Sequence, residues 1–345
     1  MSEREVICEK IGACGHIHLN RPKALNALTL TMVRGIDAAL DLWEDDPDIT
    51  RIVVTGEGEK AFSAGGDIRL LYDLGLAGNH AEQLDFWREE YRLNVRIKRF
   101  EKPYISLIDG IVMGGGVGVS IHGSHRIAGD KYIFAMPETG IGFFPDVGAT
   151  YFLSRLPGKT GTYMALTGER ANVGDGVALG LATHYVPSEQ FPALREALFT
   201  DEDVGLVLER FAIPVPPSHV MAEREVIDYC FAGDDVRNIL SRLESRVVES
   251  AFAKRTLDVL LTRPPLSVAI ALRQKQIGGS MSIEEAMRTE FRIVSRLCKH
   301  PDFYEGVRTT ILERGQKPQW NPARVEDVRV SDVDAFFAPL DGGEL

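Results

Sequence analysis

The chain has 345 residues, 44% of them hydrophobic and 26% charged, and 50 acidic against 39 basic side chains leave a net charge of −11. That length suits one large domain or a domain with an appendage, and the composition is ordinary for a soluble globular protein. The acidic groups are spread along the chain, which excludes the basic stripe a nucleic acid would need, although a few local cations suffice for a phosphate-bearing small molecule.

The first ten residues lack a secretory apolar stretch, and Glu3, Glu5 and Glu9 are unlike an acid-poor transit peptide. No apolar run approaches the ~20 residues of a membrane span. Cys8, Cys14, Cys230 and Cys298 form neither a CxxC pair nor a disulfide framework, and read as buried thiols in a reducing compartment. The expectation is a soluble cytoplasmic protein with no membrane or nucleic-acid partner.

Residues 4–20 read as a hairpin, with Glu5 to Glu9 as one strand, Gly12 to Gly15 as the turn, and Ile17 and Leu19 alternating with His16 and His18. Alternation puts both imidazoles on one strand face with no third ligand nearby, so a solvated face is favoured over a metal site. Pro22 breaks the strand, and Met32, Val33, Ile36, Leu40 and Trp43 keep helical spacing from Thr29 to Trp43. Arg51 to Thr55 reads as a buried strand. Ala61-Phe62-Ser63-Ala64-Gly65-Gly66-Asp67-Ile68 then passes from a strand through glycines into a helix. Residues 80–100 form a helix with Leu84, Trp87, Tyr91 and Val95 inward and Glu90 at the margin of that stripe.

Tyr104 to Ile108 is a buried strand leading into Asp109-Gly110-Ile111-Val112-Met113-Gly114-Gly115-Gly116, after which small residues wind into a helix. Short strands follow at His125 to Ala128 and Tyr132 to Met136. Strand and helix alternate this far, which implies an α/β core. Helices read at Thr160 to Thr167 and Asp175 to Gly180, and a strand at Ala182 to Val186. Beyond the break at Pro214 to Pro217 the pattern is helical, including 234–252, 254–262, 266–277 and 283–299. A soft boundary near 200 separates a core, 1–200, from a helical C-terminal region, 201–345.

Gly118-Val119-Ser120-Ile121-His122 nearly spells the nucleophile elbow G-x-S-x-G, but His122 stands where the elbow needs a tiny residue. Neither a dinucleotide fingerprint nor a phosphate-loop lysine motif registers. What remains is two turns, at Gly66 and Gly115, whose unpaired N–H groups could converge on one acyl oxygen. Glu138 and Asp146 follow in a Gly- and Phe-rich segment, where aromatic surroundings would desolvate a carboxylate and tune it for acid–base work. The blander alternative makes Glu138 a helix cap and Asp146 a turn residue.

Three separated motifs, Ala61 to Ile68, Met113 to Gly118 and Pro137-Glu138-Thr139, together resemble the enoyl-CoA hydratase/isomerase (crotonase) superfamily. Phe86 to Tyr91, Ala135 to Gly148 and Phe303-Tyr304-Glu305-Gly306-Val307-Arg308 extend the likeness through nearly the whole chain, toward the branch that hydrolyses short β-hydroxyacyl-CoA thioesters. The resemblance implies an α/β crotonase-like fold, a ββα-superhelix spiral, with a helical C-terminal region. It implies amide donors at Gly66 and Gly115 for the thioester carbonyl and a catalytic Glu138. Glu90 and Asp146 would be substrate-contacting carboxylates, and the three acids would line one pocket. Lys23, Ala24 and Leu25 match one wall of the CoA site, and Ala64, Asp67 and Ile68 the other. Coenzyme A enters as part of the substrate, with no separate cofactor and no metal, and a homo-oligomer stays open.

One departure separates the branches. Hydratases of this superfamily carry a second glutamate three residues after the oxyanion glycine, and here that position is Gly118. Syn addition of water needs two acid–base groups, whereas thioester hydrolysis needs one well-placed carboxylate and a polarised carbonyl. The resemblance therefore implies hydrolysis of a thioester such as 3-hydroxyisobutyryl-CoA, a step of valine breakdown. The alternatives are a hydratase or isomerase of the same superfamily and a non-catalytic acyl-CoA binder.

Overall fold

The structure is a computed structural model that describes residues 4–345, so Glu3 lies outside the described residues. Internal contacts gather the chain into two interleaved units rather than cutting it once near 200. One comprises the chain up to Asp67, Glu89–Phe134 and Ala171–His219; the other comprises Ile68–Arg88, Ala135–Arg170 and Val220–Leu345.

The strands, numbered in chain order, are β1 (Val6–Ile11), β2 (Cys14–Leu19), β3 (Arg51–Gly56), β4 (Ala61–Ser63), β5 (Tyr104–Ile108), β6 (Ile111–Met113), β7 (His125–Ala128), β8 (Ile133–Ala135) and β9 (His184–Tyr185). In the first unit β1 and β2 make the expected antiparallel hairpin. Its turn is tighter than the glycines suggested. Gly15 lies inside β2, where a Cβ would stand 2.4 Å from the Trp43 ring of the helix Leu30–Glu44. Thr29 caps that helix by accepting from the Met32 amide. The sheet continues in parallel, in the order β1-β2-β3-β5-β7-β9. Ile52 to Thr55 are buried throughout, as a parallel strand covered on both faces requires. Val53, Ile105, Leu107 and Ile127 pack on one face against Leu194, Leu198, Val207 and Leu208 of the helices Phe191–Leu198 and Val204–Phe211.

The strand face bearing the two histidines is half-buried, and His18 also pairs with exposed Glu57 at 2.9 Å. His16 and His18 both hydrogen-bond Thr55 Oγ1, at 2.9 and 2.8 Å, and the His16 ring lies 5.0 Å from that of Phe199. Burial pulls His16 down to about 4, so the imidazole is neutral at pH 7. A smaller sheet, β4-β6-β8, carries the two glycine turns. The helix Gly115–Ile121 includes Ser120, whose hydroxyl donates to the carbonyls of Gly116 and Val117 at 2.8 and 3.1 Å. Such back-bonding is a helical serine's, and no elbow is formed.

The second unit is mainly helical. The helix Thr160–Thr167 is buried at every residue; Tyr163 on it meets Phe231 and Phe252 at 5.5 and 5.4 Å between ring centres. The two helices expected over 234–252 and 254–262 are Val236–Glu244 and Ala251–Leu260, so the break lies earlier than expected, where Ser250 caps the second by accepting from the Ala253 amide. The helices Pro265–Ile277, Ile283–Leu297 and Pro301–Val307 follow close to expectation.

Candidate active site

Within the first unit the two glycine turns meet. Gly65, at φ +116°, would place a Cβ 3.7 Å from the Gly115 nitrogen, and one on Gly116 would stand 2.4 Å from the Ser63 carbonyl oxygen. The positive φ at Gly65 and the close approach at Gly116 both call for glycine. The 64–67 turn is tied down by its neighbours. The Ala64 amide donates to Leu25 O and the Asp67 amide to Leu28 O, both at 2.9 Å, while Leu28 donates to Gly65 O at 2.8 Å. Gly66 lies between these bonds. A Cβ on Gly115 would stand only 3.2 Å from the Gly66 nitrogen, so the two expected amides are close neighbours. Gly115 opens its helix, where an amide has no acceptor within the helix.

Glu90 belongs to this corner. The helix His80–Arg99 buries Phe86, Trp87, Glu90, Tyr91, Leu93, Asn94 and Ile97, while Leu84 and Val95 are only half-buried. The inward stripe is thus rotated from its expected register, and Glu90 lies at its centre, not its margin. Its exposure is 2%, and its Oε1 would touch a Gly115 Cβ at 2.4 Å. The arrangement sets a buried carboxylate beside two adjacent backbone amides.

Lys23 and Ala24 lie in the 3₁₀ turn Pro22–Ala24, with Lys23 exposed and Ala24 and Leu25 half-buried. Leu25 and Asn26 are left-handed, at φ 51° and 54°. Sequence reasoning passed over Asn26, which is fully buried. It donates to the carbonyls of Glu57 and Ala61 at 2.9 and 3.0 Å and accepts from the Arg21 amide at 2.9 Å. Its own carbonyl accepts from Ser63 Oγ at 2.8 Å. A lone Asn inside Lys-Ala-Leu-Asn-Ala-Leu was the available signal. Arg21 joins the two stretches expected to wall the CoA site through an ion pair with Asp67 at 3.0 Å. Ile68 opens the helix Ile68–Leu76, which belongs to the second unit.

Glu138 and Asp146 lie in the second unit, 7% and 5% exposed, and so are as buried as Glu90. Glu138 opens the 3₁₀ turn Glu138–Ile141, which ends at left-handed Gly142. Backbone packing fixes this turn. A Cβ on Gly142 would strike the Asp302 carbonyl at 2.0 Å, and one on Gly306 the Ile141 carbonyl at 2.1 Å. The C-terminal motif is therefore a platform for the glutamate. Phe303 of that motif meets Phe143 at 5.6 Å, and Phe143 stacks on Trp87, also at 5.6 Å.

Asp146 sits before Val147 and Gly148, both left-handed. Two side chains from distant helices hold this loop. Gln274 donates to the Pro145 carbonyl at 3.0 Å and to Thr150 Oγ1 at 2.8 Å. Glu290 accepts from the amides of Gly148 and Thr150 at 2.7 and 2.8 Å. Burial, together with the charge of Asp146, pushes the Glu290 carboxyl up to about 8 against the pull of these hydrogen bonds. Sequence reasoning missed both residues, since nothing in a regular helical pattern marks them.

Among the described residues no group of three or more His, Cys, Asp or Glu could hold a metal ion, and no helix is long and apolar enough to cross a membrane. The sequence pattern of the enoyl-CoA hydratase/isomerase family matches residues 14–337. The 3-hydroxyisobutyryl-CoA hydrolase, mitochondrial, of Xenopus tropicalis is 44% identical over all of this chain and 91% of its own length. Two solved structures also align throughout. The carnitinyl-CoA dehydratase from Mycobacterium thermoresistibile has a TM-score of 0.94 at 40% identity, covering 99% of this chain and 98% of its own. The enoyl-CoA hydratase from Rhodobacter sphaeroides 2.4.1 has a TM-score of 0.92 at 40% identity, covering 99% of each. The fold is crotonase-like α/β with a helical C-terminal region. The chain belongs to the enoyl-CoA hydratase/isomerase (crotonase) superfamily, and within it resembles the 3-hydroxyisobutyryl-CoA hydrolases.

Proposed function

We propose that this chain hydrolyses 3-hydroxyisobutyryl-CoA, or a closely similar short β-hydroxyacyl-CoA, to the free hydroxy acid and coenzyme A. The full-length likeness to a named hydrolase supports this reading, but the two solved relatives carry dehydratase and hydratase names. The observation that decides is Gly118, buried in the helix Gly115–Ile121 three residues after Gly115. No side chain stands there to serve as the second acid of a hydration.

In this reading the Gly66 and Gly115 amides stabilise charge on the thioester oxygen, a contribution typically worth about 3–4 kcal/mol per donor. Glu138 either adds to the carbonyl carbon, expelling CoA thiolate and leaving a mixed anhydride that water opens, or removes a proton from a water that attacks directly. Thiolate is a good leaving group and takes up one proton in either route. Glu90 receives the substrate hydroxyl, and Asp146 orients the acyl group or relays the proton. Lys23, Ala24, Leu25, Ala64, Asp67 and Ile68 contact the CoA moiety.

Thiol release should be followed with 3-hydroxyisobutyryl-CoA and crotonyl-CoA in parallel. The first should liberate CoA; loss of crotonyl absorbance with no thiol from either ester would make the chain a hydratase instead. A single turnover in ¹⁸O water that leaves label in Glu138 establishes the anhydride route, with water adding at the enzyme carboxyl carbon. For location we propose a reducing aqueous compartment, the cytoplasm, on the strength of four free thiols, although the Xenopus relative is named mitochondrial. Fractionation of the source cells tests this.

A further inference from the structure

Glu290 is buried completely in the helix Ile283–Leu297, and the proposed chemistry makes no use of it. Its two oxygens grip the amides of Gly148 and Thr150, on the far side of a turn that begins at Asp146. Within that turn the Ala149 amide donates to the Asp146 carbonyl at 2.9 Å, and Val147 and Gly148 stand at φ 50° and 90°. A β-branched residue in the left-handed region is strained, and such strain persists only where the surroundings over-determine it. Glu290 on one side and Gln274 on the other supply that determination. As a mere strut, however, a carboxylate is a costly choice, because it puts a second buried acid beside Asp146.

We propose that Glu290 is a positioning residue for the hydrolysis, holding the left-handed turn that presents Asp146 and setting the charge state in which Asp146 works. The inference rests on the role read for Asp146. Both acids are buried, and the charge of Asp146 adds to burial in holding the proton on Glu290. Gln274 of the helix Pro265–Ile277 is neutral, and Arg88 stacks 4.5 Å from the ring of the adjacent Phe291. Asp334 of the helix Val330–Phe337 is paired with Arg273 at 3.5 Å.

The test compares Glu290→Gln, Asp146→Asn and the double variant for kcat, KM and pH profile on 3-hydroxyisobutyryl-CoA, with melting temperature as a check on folding. Glu290→Gln should lower kcat about tenfold or more at nearly unchanged KM and displace a limb of the pH profile. It should cost nothing further in the Asp146→Asn background, as residues acting as a unit are not additive. Normal kcat and pH profile in Glu290→Gln beside an impaired Asp146→Asn would overturn the positioning role alone. A fully active Asp146→Asn would remove the reading of Asp146 and this inference with it. Infrared titration of the unaltered chain keeps the question open to refutation if Glu290→Gln does not fold. It should reveal a buried protonated carboxyl that ionises above neutrality, and at lower pH in Asp146→Asn. A band absent throughout, or unmoved by that substitution, would overturn the proposal.

Discussion

The two units handle the same difficulty, fixing polar groups away from water, by opposite means. The first uses backbone. Its 64–67 turn is pinned by amides and carbonyls of the neighbouring 25–28 segment, and small glycines at 115 and 116 let the second turn approach it closely. A peptide amide carries no net charge, so leaving one unpaired costs less than burying an ionised carboxylate. The second unit uses carboxylates on short turns, whose burial is expensive and whose position no regular element dictates. It answers with remote helices. Gly306 and Asp302 seat the Glu138 turn, and Gln274 and Glu290 seat the Asp146 loop. The helical C-terminal region is accordingly the mount for the acids.

The largest expected effect comes from removing the acid that the second unit is built to hold. Glu138→Ala should lower kcat by roughly 10³-fold while leaving binding of a non-hydrolysable CoA ester nearly unchanged. Retained kcat would end the assignment. In the first unit, Gly115→Ala puts a methyl 2.4 Å from Glu90 Oε1 and 3.2 Å from the Gly66 nitrogen. Because the obstacle is largely a side chain, the protein should still fold, with kcat down by about 10²-fold from a displaced amide. Gly116→Ala meets Ser63 backbone at 2.4 Å instead, and should lower stability first. Equal melting temperatures for the two would blur the distinction between donor and packing glycines.

Stability effects sharpen the comparison further. Gly306→Ala gains about 1 kcal/mol of helix propensity but drives a Cβ within 2.1 Å of the Ile141 carbonyl, and the clash dominates. A net loss of about 1–3 kcal/mol in urea melts, with reduced kcat from a shifted Glu138 turn, is expected. Asn26→Ala strips partners from the carbonyls of Glu57 and Ala61 and the Arg21 amide, at about 2–3 kcal/mol. If Asn26→Ala instead left stability intact and raised only KM, Asn26 would be a ligand contact and not the tie from its own turn to Glu57 and Ala61.

What could be read beforehand divides along the same line as the two units. Glycine spacing after buried strands announced both turns of the first unit, because a backbone requirement leaves a residue-type signature at the position itself. Glu138 and Asp146 stand out as candidates through the motif around them, whereas nothing in the sequence marks Glu290 and Gln274, since each acts across more than a hundred residues of sequence on a loop whose need shows only in three dimensions. Glu90 was placed at the edge of its helix stripe because Leu84 and Val95 biased the register. Gln83, Phe86 and Asn94, buried together with it, give the true face, and two of these three are polar. The helix break expected between 252 and 254 falls instead at 245–250, where the Ser250 hydroxyl accepts from the Ala253 amide.

The smallest effect separates the two ways of holding polar groups most directly, because only the carboxylate mount should respond to pH. Glu290 rises from an ordinary 4.5 to about 8, so the folded chain holds this proton more tightly than the unfolded one. Its contribution to stability is complete below about 4.5 and is lost as pH climbs through 8. Asp302, raised to about 6, tilts stability the same way, and His16, lowered to about 4, tilts it the opposite way between 4 and 6.5. Both are shared by the wild type and Glu290→Gln, so the difference between their melting temperatures isolates Glu290. That difference should move by a few degrees in favour of the variant between about pH 5 and 9, on the scale of ~2–4 °C per kcal/mol for larger domains. A constant difference would mean that Glu290 keeps one charge state throughout, and the loop bearing Asp146 would then be held by hydrogen bonds alone.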